Sequence, residues 1–192
     1  MANDIKKHVQ AIIKAHEDAV TEFKTDAADT IRGIVEVITK CLQHGGCIFT
    51  CGNGGSAADA QHIAAELVGR FEQDRRGLAA VALTTDSSIL TSVSNDYGYN
   101  HLFYKQVEAL VKKGDLLWAI STSGSSENII SASKLAKEKG ATLLAFTGKK
   151  NSPLEAMADV CLCTGNDSTA RSQEIHQLAY HIICYLVEQN FC

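Results

Sequence analysis

Leu116-Leu117-Trp118-Ala119-Ile120, then Ser121-Thr122-Ser123-Gly124-Ser125-Ser126, then Glu127-Asn128-Ile129-Ile130: this stretch decides how the chain folds. The apolar run reads as a buried strand, and the segment after the hydroxyls opens a helical pattern. Between them, five hydroxyls and one glycine fill six positions. Ser and Thr are favoured at helix starts as caps, but one cap needs one hydroxyl. The excess lies at the positive end of a helix dipole beside free backbone N–H groups, where an anion is stabilised. Phosphate is the natural guest. The loop has no Lys, so it is not a Walker A loop, and nucleoside triphosphate chemistry is disfavoured.

The strand-then-helix pattern repeats on both sides of this stretch. Cys47 to Thr50, Ala79 to Leu83, Leu143 to Phe146 and Val160 to Cys163 join Leu116 to Ile120 as predicted strands, with helical stretches between them. That alternation predicts an α/β fold, a three-layer sandwich around a five-stranded parallel sheet. Before the first strand, Ile5, Val9, Ile12, Ile13, Val20 and Phe23 recur at helical spacing, and Ile31, Ile34, Val35, Ile38 and Leu42 repeat the pattern. A helical pair over about residues 4–43 is expected, packed on the domain or on a partner subunit, because two amphipathic helices cannot bury their faces alone. Thr169 to about Asn190 reads as a long terminal helix. No repeat or linker interrupts the sequence, so residues 1–192 are expected to form a single domain.

Composition narrows the function. The 192 residues, 45% hydrophobic, suffice for one sizeable core. A net charge of -4 with scattered basic pairs leaves no basic stripe, and nucleic acid is not an expected partner. The seven cysteines lie mostly in apolar contexts without a Cys-x-x-Cys pair, and no apolar run reaches membrane-spanning length. Met1-Ala2-Asn3-Asp4 opens no apolar leader. Free thiols in a reducing cytoplasm, away from membranes, fit these features.

In a parallel α/β sheet, ligands bind beyond the carboxyl ends of the strands. Two loops there are unusual: the hydroxyl loop, and Cys51-Gly52-Asn53-Gly54-Gly55-Ser56 after the first strand. The glycines permit positive φ and close backbone approach, Asn53 offers an amide to sugar hydroxyls, and Ser56 can cap the next helix. A plain tight turn explains the segment equally well. It lacks the Gly-x-Gly-x-x-Gly spacing of a dinucleotide loop. In the following helix His62 and Glu66 are four apart, about 40° around the axis, so they share a face suited to a metal or an acid–base pair, although a surface hydrogen bond is the commoner meaning of such spacing. On the terminal helix Gln173 and His181 are eight apart, about 80° around the axis, so both can look into one site. Glu174, His176 and Gln177 lie nearby; for His181 a satisfied core position, and for Gln173 a solvated first-turn residue, is the simpler reading. Asn95-Asp96 reads as turn chemistry.

Taken together, Cys51 to Ser56, Gln61-His62-Ile63-Ala64-Ala65-Glu66-Leu67, Asn95-Asp96, Ser121-Thr122-Ser123-Gly124 and Gln173-Glu174-Ile175-His176 resemble the phosphoheptose isomerase family, which has the sugar isomerase (SIS) fold. The resemblance implies a homotetramer of flavodoxin-like subunits with sites at subunit interfaces, converting sedoheptulose 7-phosphate to D-glycero-D-manno-heptose 7-phosphate. It assigns Asn53, Gly54, Gly55, Glu66, Asn95, Asp96, Ser121, Thr122, Ser123, Ser126 and Gln173 to substrate contact. It also implies a zinc ion held by His62, Glu66, Gln173 and His181, with Glu66 and His181 as the acid–base pair. Ser172 departs from the pattern, where a larger apolar residue is expected.

Aldose–ketose isomerisation moves a proton between adjacent carbons through an enediol, and a carboxylate base with a histidine electrophile suits it. Three other readings share the scaffold: a non-catalytic regulator that binds the replication initiator DnaA, another phosphosugar isomerase, and a sugar-phosphate sensor. The hydroxyl loop serves a sensor as well as an enzyme; Glu66 and His181 favour the enzyme.

Overall fold

A computed structural model describes residues 2–192; Met1, the first residue of the stretch read as lacking an apolar leader, lies outside them. The chain runs α1 (Ala2–Gln43), β1 (Ile48–Gly52), α2 (Gly55–Val68), β2 (Ala80–Ala82), α3 (Ser87–Tyr97), α4 (Leu102–Leu110), β3 (Leu116–Ser121), α5 (Glu127–Glu138), β4 (Thr142–Thr147), α6 (Pro153–Met157), β5 (Val160–Cys163) and α7 (Thr169–Glu188). All five strands pair in parallel in the order β2-β1-β3-β4-β5. The order reverses between β1 and β3, so the loops leaving those two strands flank the crevice where ligands bind in open α/β sheets.

β3 is central and wholly buried, and its alternate side chains feed two cores. Leu116, Trp118 and Ile120 pack with α1, α2 and α7, whereas Leu117 and Ala119 pack with α4, α5 and α6. This is why the strand reads as unbroken apolar sequence.

The two helical patterns between residues 4 and 43 run into each other as one helix, about 63 Å long at 1.5 Å per residue. Lys24 to Thr30, between the patterns, contains neither proline nor glycine and so has nothing to stop it. The halves of α1 differ. Ile31, Ile34 and Ile38 are buried against the sheet and α7, each stabilising by roughly 1.5–3 kcal/mol. Ile5, Val9, Ile12 and Ile13 are exposed. Among the described residues no helix is long and apolar enough to cross a membrane. All seven cysteines are free, and burial pushes the thiols of Cys41, Cys51 and Cys184 up to about 12.

Candidate functional site

The hydroxyl loop leaves β3 and enters α5 through Ser126, the N-cap residue. Ser126 makes no side-chain cap bond; its Oγ lies 3.2 Å from Ser121 Oγ. Ser121 Oγ also accepts from Gly124 N at 3.2 Å, and Ser123 Oγ accepts from Ser125 N at 3.3 Å. The hydroxyls are therefore organised around one another rather than spent on the helix. The backbone N–H groups of Glu127 and Asn128, in the first turn of α5, find no acceptor among the described residues. A cavity of about 280 Å³ opens over them, lined by Ser121, Thr122, Ser123 and Ser126, with Gly54, Gly55, Thr169 and Gln173 opposite. Donors, a helix N-terminus and no side-chain anion suit it to an anion.

The glycine loop forms the opposite wall. Gly54, the N-cap of α2, has φ 55°, a region open chiefly to glycine. A Cβ on Gly55 would collide with the Gln173 carboxamide, so this glycine admits Gln173 to the wall. Ser56 is not the cap: it lies buried inside α2, which has no side-chain cap bond. The Asn53 carboxamide also differs from expectation. It pairs reciprocally with the buried Asn128, both bonds 2.9 Å, and accepts from Tyr99 Oη at 2.8 Å, so it braces the loop against α5. Asn53 still lines the cavity.

The second half of the site lies further along α2 and α7. His62 and Glu66 share a face of α2 as their spacing requires, with His62 Nε2 2.9 Å from Glu66 Oε1. His181 comes across from α7, its ring centroid 5.1 Å from that of His62. Donor atoms of His62, Glu66 and His181 all lie within 4.8 Å of one another. Two imidazoles and a carboxylate are an ordinary donor set for a borderline cation such as zinc, so the residues present fit a metal ion. Burial, reinforced by His62 and opposed by Glu66, holds His181 below the ordinary histidine pKa. Gln173 sits two turns earlier on α7 and lines both the anion cavity and a second one shared with Asp59 and Gln177.

The SIS domain model matches residues 12–148. Phosphoheptose isomerases from Dechloromonas aromatica and Roseiflexus are 50% and 49% identical, over 92% and 93% of this chain and 93% and 90% of theirs. The solved phosphoheptose isomerase of Neisseria gonorrhoeae superposes with a TM-score of 0.91 at 42% identity, covering 96% of this chain and 99% of that one. The chain belongs to the phosphoheptose isomerase family. It is accordingly an aldose–ketose isomerase on the SIS scaffold.

Other residues singled out in this family member's sequence lie elsewhere. Asn95 and Asp96 are exposed at the end of α3, bonded to each other at 2.8 Å, and line none of these cavities within the subunit. His176 is a core residue: Nε2 bonds the Thr147 carbonyl at 3.1 Å, and burial lowers its pKa to about 4. Glu174 ties α7 to α1 through Arg171 and His16. Ser172 is small because it is fully buried against Gly148, its Oγ pinning the turn at Thr164 and Asn166.

Sequence reasoning missed several contributors. Asp59 lies one turn before His62; burial, against the pull of His62, pushes its carboxyl up to about 6, and its buried Oδ2 lacks a partner among the described residues. The i, i+3 spacing could have flagged it. Phe71 packs 5.9 Å from the His181 ring. Its strap is held by the buried Glu188, which accepts from the N–H groups of Phe71, Glu72 and Gln73 at 2.8–2.9 Å. Arg75 Nε lies 3.4 Å from Glu188, and the same guanidinium donates to the Glu66 and Leu67 carbonyls that end α2. No sequence pattern announces that knot, because its partners lie more than 100 residues apart.

Proposed function

We propose that this isomerase interconverts sedoheptulose 7-phosphate and D-glycero-D-manno-heptose 7-phosphate, with the hydroxyl-loop cavity as phosphate anchor and Glu66 with His181 as the proton-moving pair. The observation that carries the reading is the convergence of Glu66, His62 and His181 beside an anion cradle, with Gln173 lining the cavity between α2 and α7 as well as the cradle. The phosphate takes the free N–H groups of α5 and the hydroxyls of Thr122, Ser123 and Ser126, and the sugar runs past Gly54, Gly55 and Gln173 toward Glu66.

Glu66 lifts a proton from C1 of the ketose, next to the C2 carbonyl, and returns it to C2. His181 gives a proton to O2 and takes one from O1, leaving the aldehyde at C1. Its lowered pKa favours the neutral ring, which can pass a proton between the two sugar oxygens. Glu66 Oε1 faces His62, and its second oxygen has no protein partner among the described residues. His62, Glu66, Gln173 and His181 would hold a zinc ion. Bound there, it would polarise the carbonyl and stabilise developing negative charge.

The exposed apolar face of α1 at Ile5, Val9, Ile12 and Ile13, with the apolar groove between α1 and α7, supports a homotetramer in which these faces meet. α3 has no buried residue, and assembly brings Asn95 and Asp96 to the substrate. Seven free thiols support a cytoplasmic location. The deciding experiment incubates purified, zinc-supplied protein with sedoheptulose 7-phosphate. Formation of the aldose phosphate supports the reading; phosphosugar binding without product replaces it with a sensor.

A further inference from the structure

Tyr180 precedes His181 on α7 and is buried in the core. Its hydroxyl nevertheless lies 2.9 Å from His62 Nδ1. Its ring meets both histidines edge to face, with centroids 5.4 Å from His62 and 4.7 Å from His181. With Glu66 on Nε2, both nitrogens of His62 are engaged.

We propose that Tyr180 is a positioning residue that holds the ring plane of His62, donating to Nδ1 while Nε2 carries the proton and accepting from Nδ1 once Nε2 is free to hold a cation. A neutral imidazole carries one proton, and an ionised carboxylate only accepts. In the metal-free protein the proton therefore sits on Nε2, donating to Glu66, while Nδ1 accepts from the Tyr180 O–H. For Nε2 to hold a cation, its proton must leave, and the ring takes one from water at Nδ1. Tyr180 oxygen accepts that new N–H. The phenol keeps its own hydrogen, which turns away from the ring. A hydroxyl serves the same ring in both forms, whereas the phenyl ring of Phe serves it in neither. Partners on the far nitrogen of a ligating histidine typically tune metal affinity 10–100-fold.

The affinity part rests on the zinc reading above; the ring-positioning part does not. The test is Tyr180→Phe, which keeps the ring and its packing. In metal-free wild type, proton–nitrogen correlation of ¹⁵N-histidine protein should find His62 protonated on Nε2 alone, with the resonance assigned through His62→Gln. In Tyr180→Phe the proton should stay on Nε2, where Glu66 accepts it, while the Nδ1 resonance moves as it loses its donor. Competition with a chromogenic chelator should find zinc affinity reduced about 10–100-fold, with turnover restored within about threefold at saturating zinc. Wild-type His62 protonated on Nδ1 overturns the proposal even if the variant does not fold, as does an unmoved Nδ1 resonance in a folded variant. Equal zinc affinities overturn its metal part. Wild type that takes up no zinc overturns the metal reading and leaves the Nδ1 resonance to decide Tyr180.

Discussion

The two halves of the site are built in opposite ways. The proposed phosphate cradle takes its hydroxyls and free backbone N–H groups chiefly from one strand–loop–helix unit, Leu116 to Glu138, and these groups do not titrate near neutrality. The His62–Glu66–His181 cluster joins two helices more than 100 residues apart and consists entirely of titratable groups. In the function proposed above, one half recognises a charge that does not change during the reaction. The other must change its own protonation. Anchoring therefore tolerates local, pre-wired construction, whereas proton transfer needs burial and charged neighbours that only packing supplies.

The sharpest break between the halves is Glu66→Gln or His181→Gln. Each should lower kcat by at least about 10³-fold while inorganic phosphate binding, followed by calorimetry, stays within about threefold; near-normal turnover in either would sink the division of labour. Exhaustive chelation comes next, expected to cost on the order of 100-fold in rate with recovery on adding zinc. Elemental analysis of protein that is active yet metal-free would remove the ion from the mechanism.

Ser123→Ala combined with Ser126→Ala probes the other half. Two hydrogen bonds to a charged group are lost, so KM should rise by on the order of 100-fold or more with kcat nearly unchanged; a matching fall in kcat would mean the cradle also aligns the reacting carbons. Glu188→Gln tests the frame between Glu66 and Phe71. Burial alone would raise the Glu188 pKa, but three backbone N–H donors and Arg75 outweigh it and hold it below the usual carboxylate value. Its stabilisation is present above the unfolded carboxylate range and is lost as pH falls through the folded pKa. The variant should lose about 3 kcal/mol, read as a lower Tm, and the corresponding acid-dependent loss should disappear. Turnover should fall only severalfold.

His176 gives the smallest effect on rate. With a folded pKa of about 4 against an ordinary histidine value of about 6.5, its contribution is intact above pH 6.5 and lost as pH falls toward 4, about 3 kcal/mol in all. His176→Gln should flatten stability over that window in urea titrations and leave the activity of folded protein unchanged.

The sequence carried the five strands to within a residue or two, because unbroken apolar runs such as Leu116 to Ile120 have few other homes. It also placed the hydroxyl loop between β3 and α5, a stretch that is contiguous in the chain. It placed His62 and Glu66 on one face, since that relation is internal to a helix. It read α1 as two helices because periodicity locates faces but not the absence of a break. It could not show that Asn128 and Tyr99 meet the Asn53 amide, because only the folded chain brings them there. What sequence alone determined is whatever depends on neighbours a few positions away: elements, caps and loop chemistry. Tertiary structure alone decided that His181 meets Glu66, that Tyr180 holds His62 and that Glu188 ties down the strap. Those contacts are set by how the helices pack on the sheet, and a hydrophobic stripe specifies that a face is buried, not which polar side chain waits across from it.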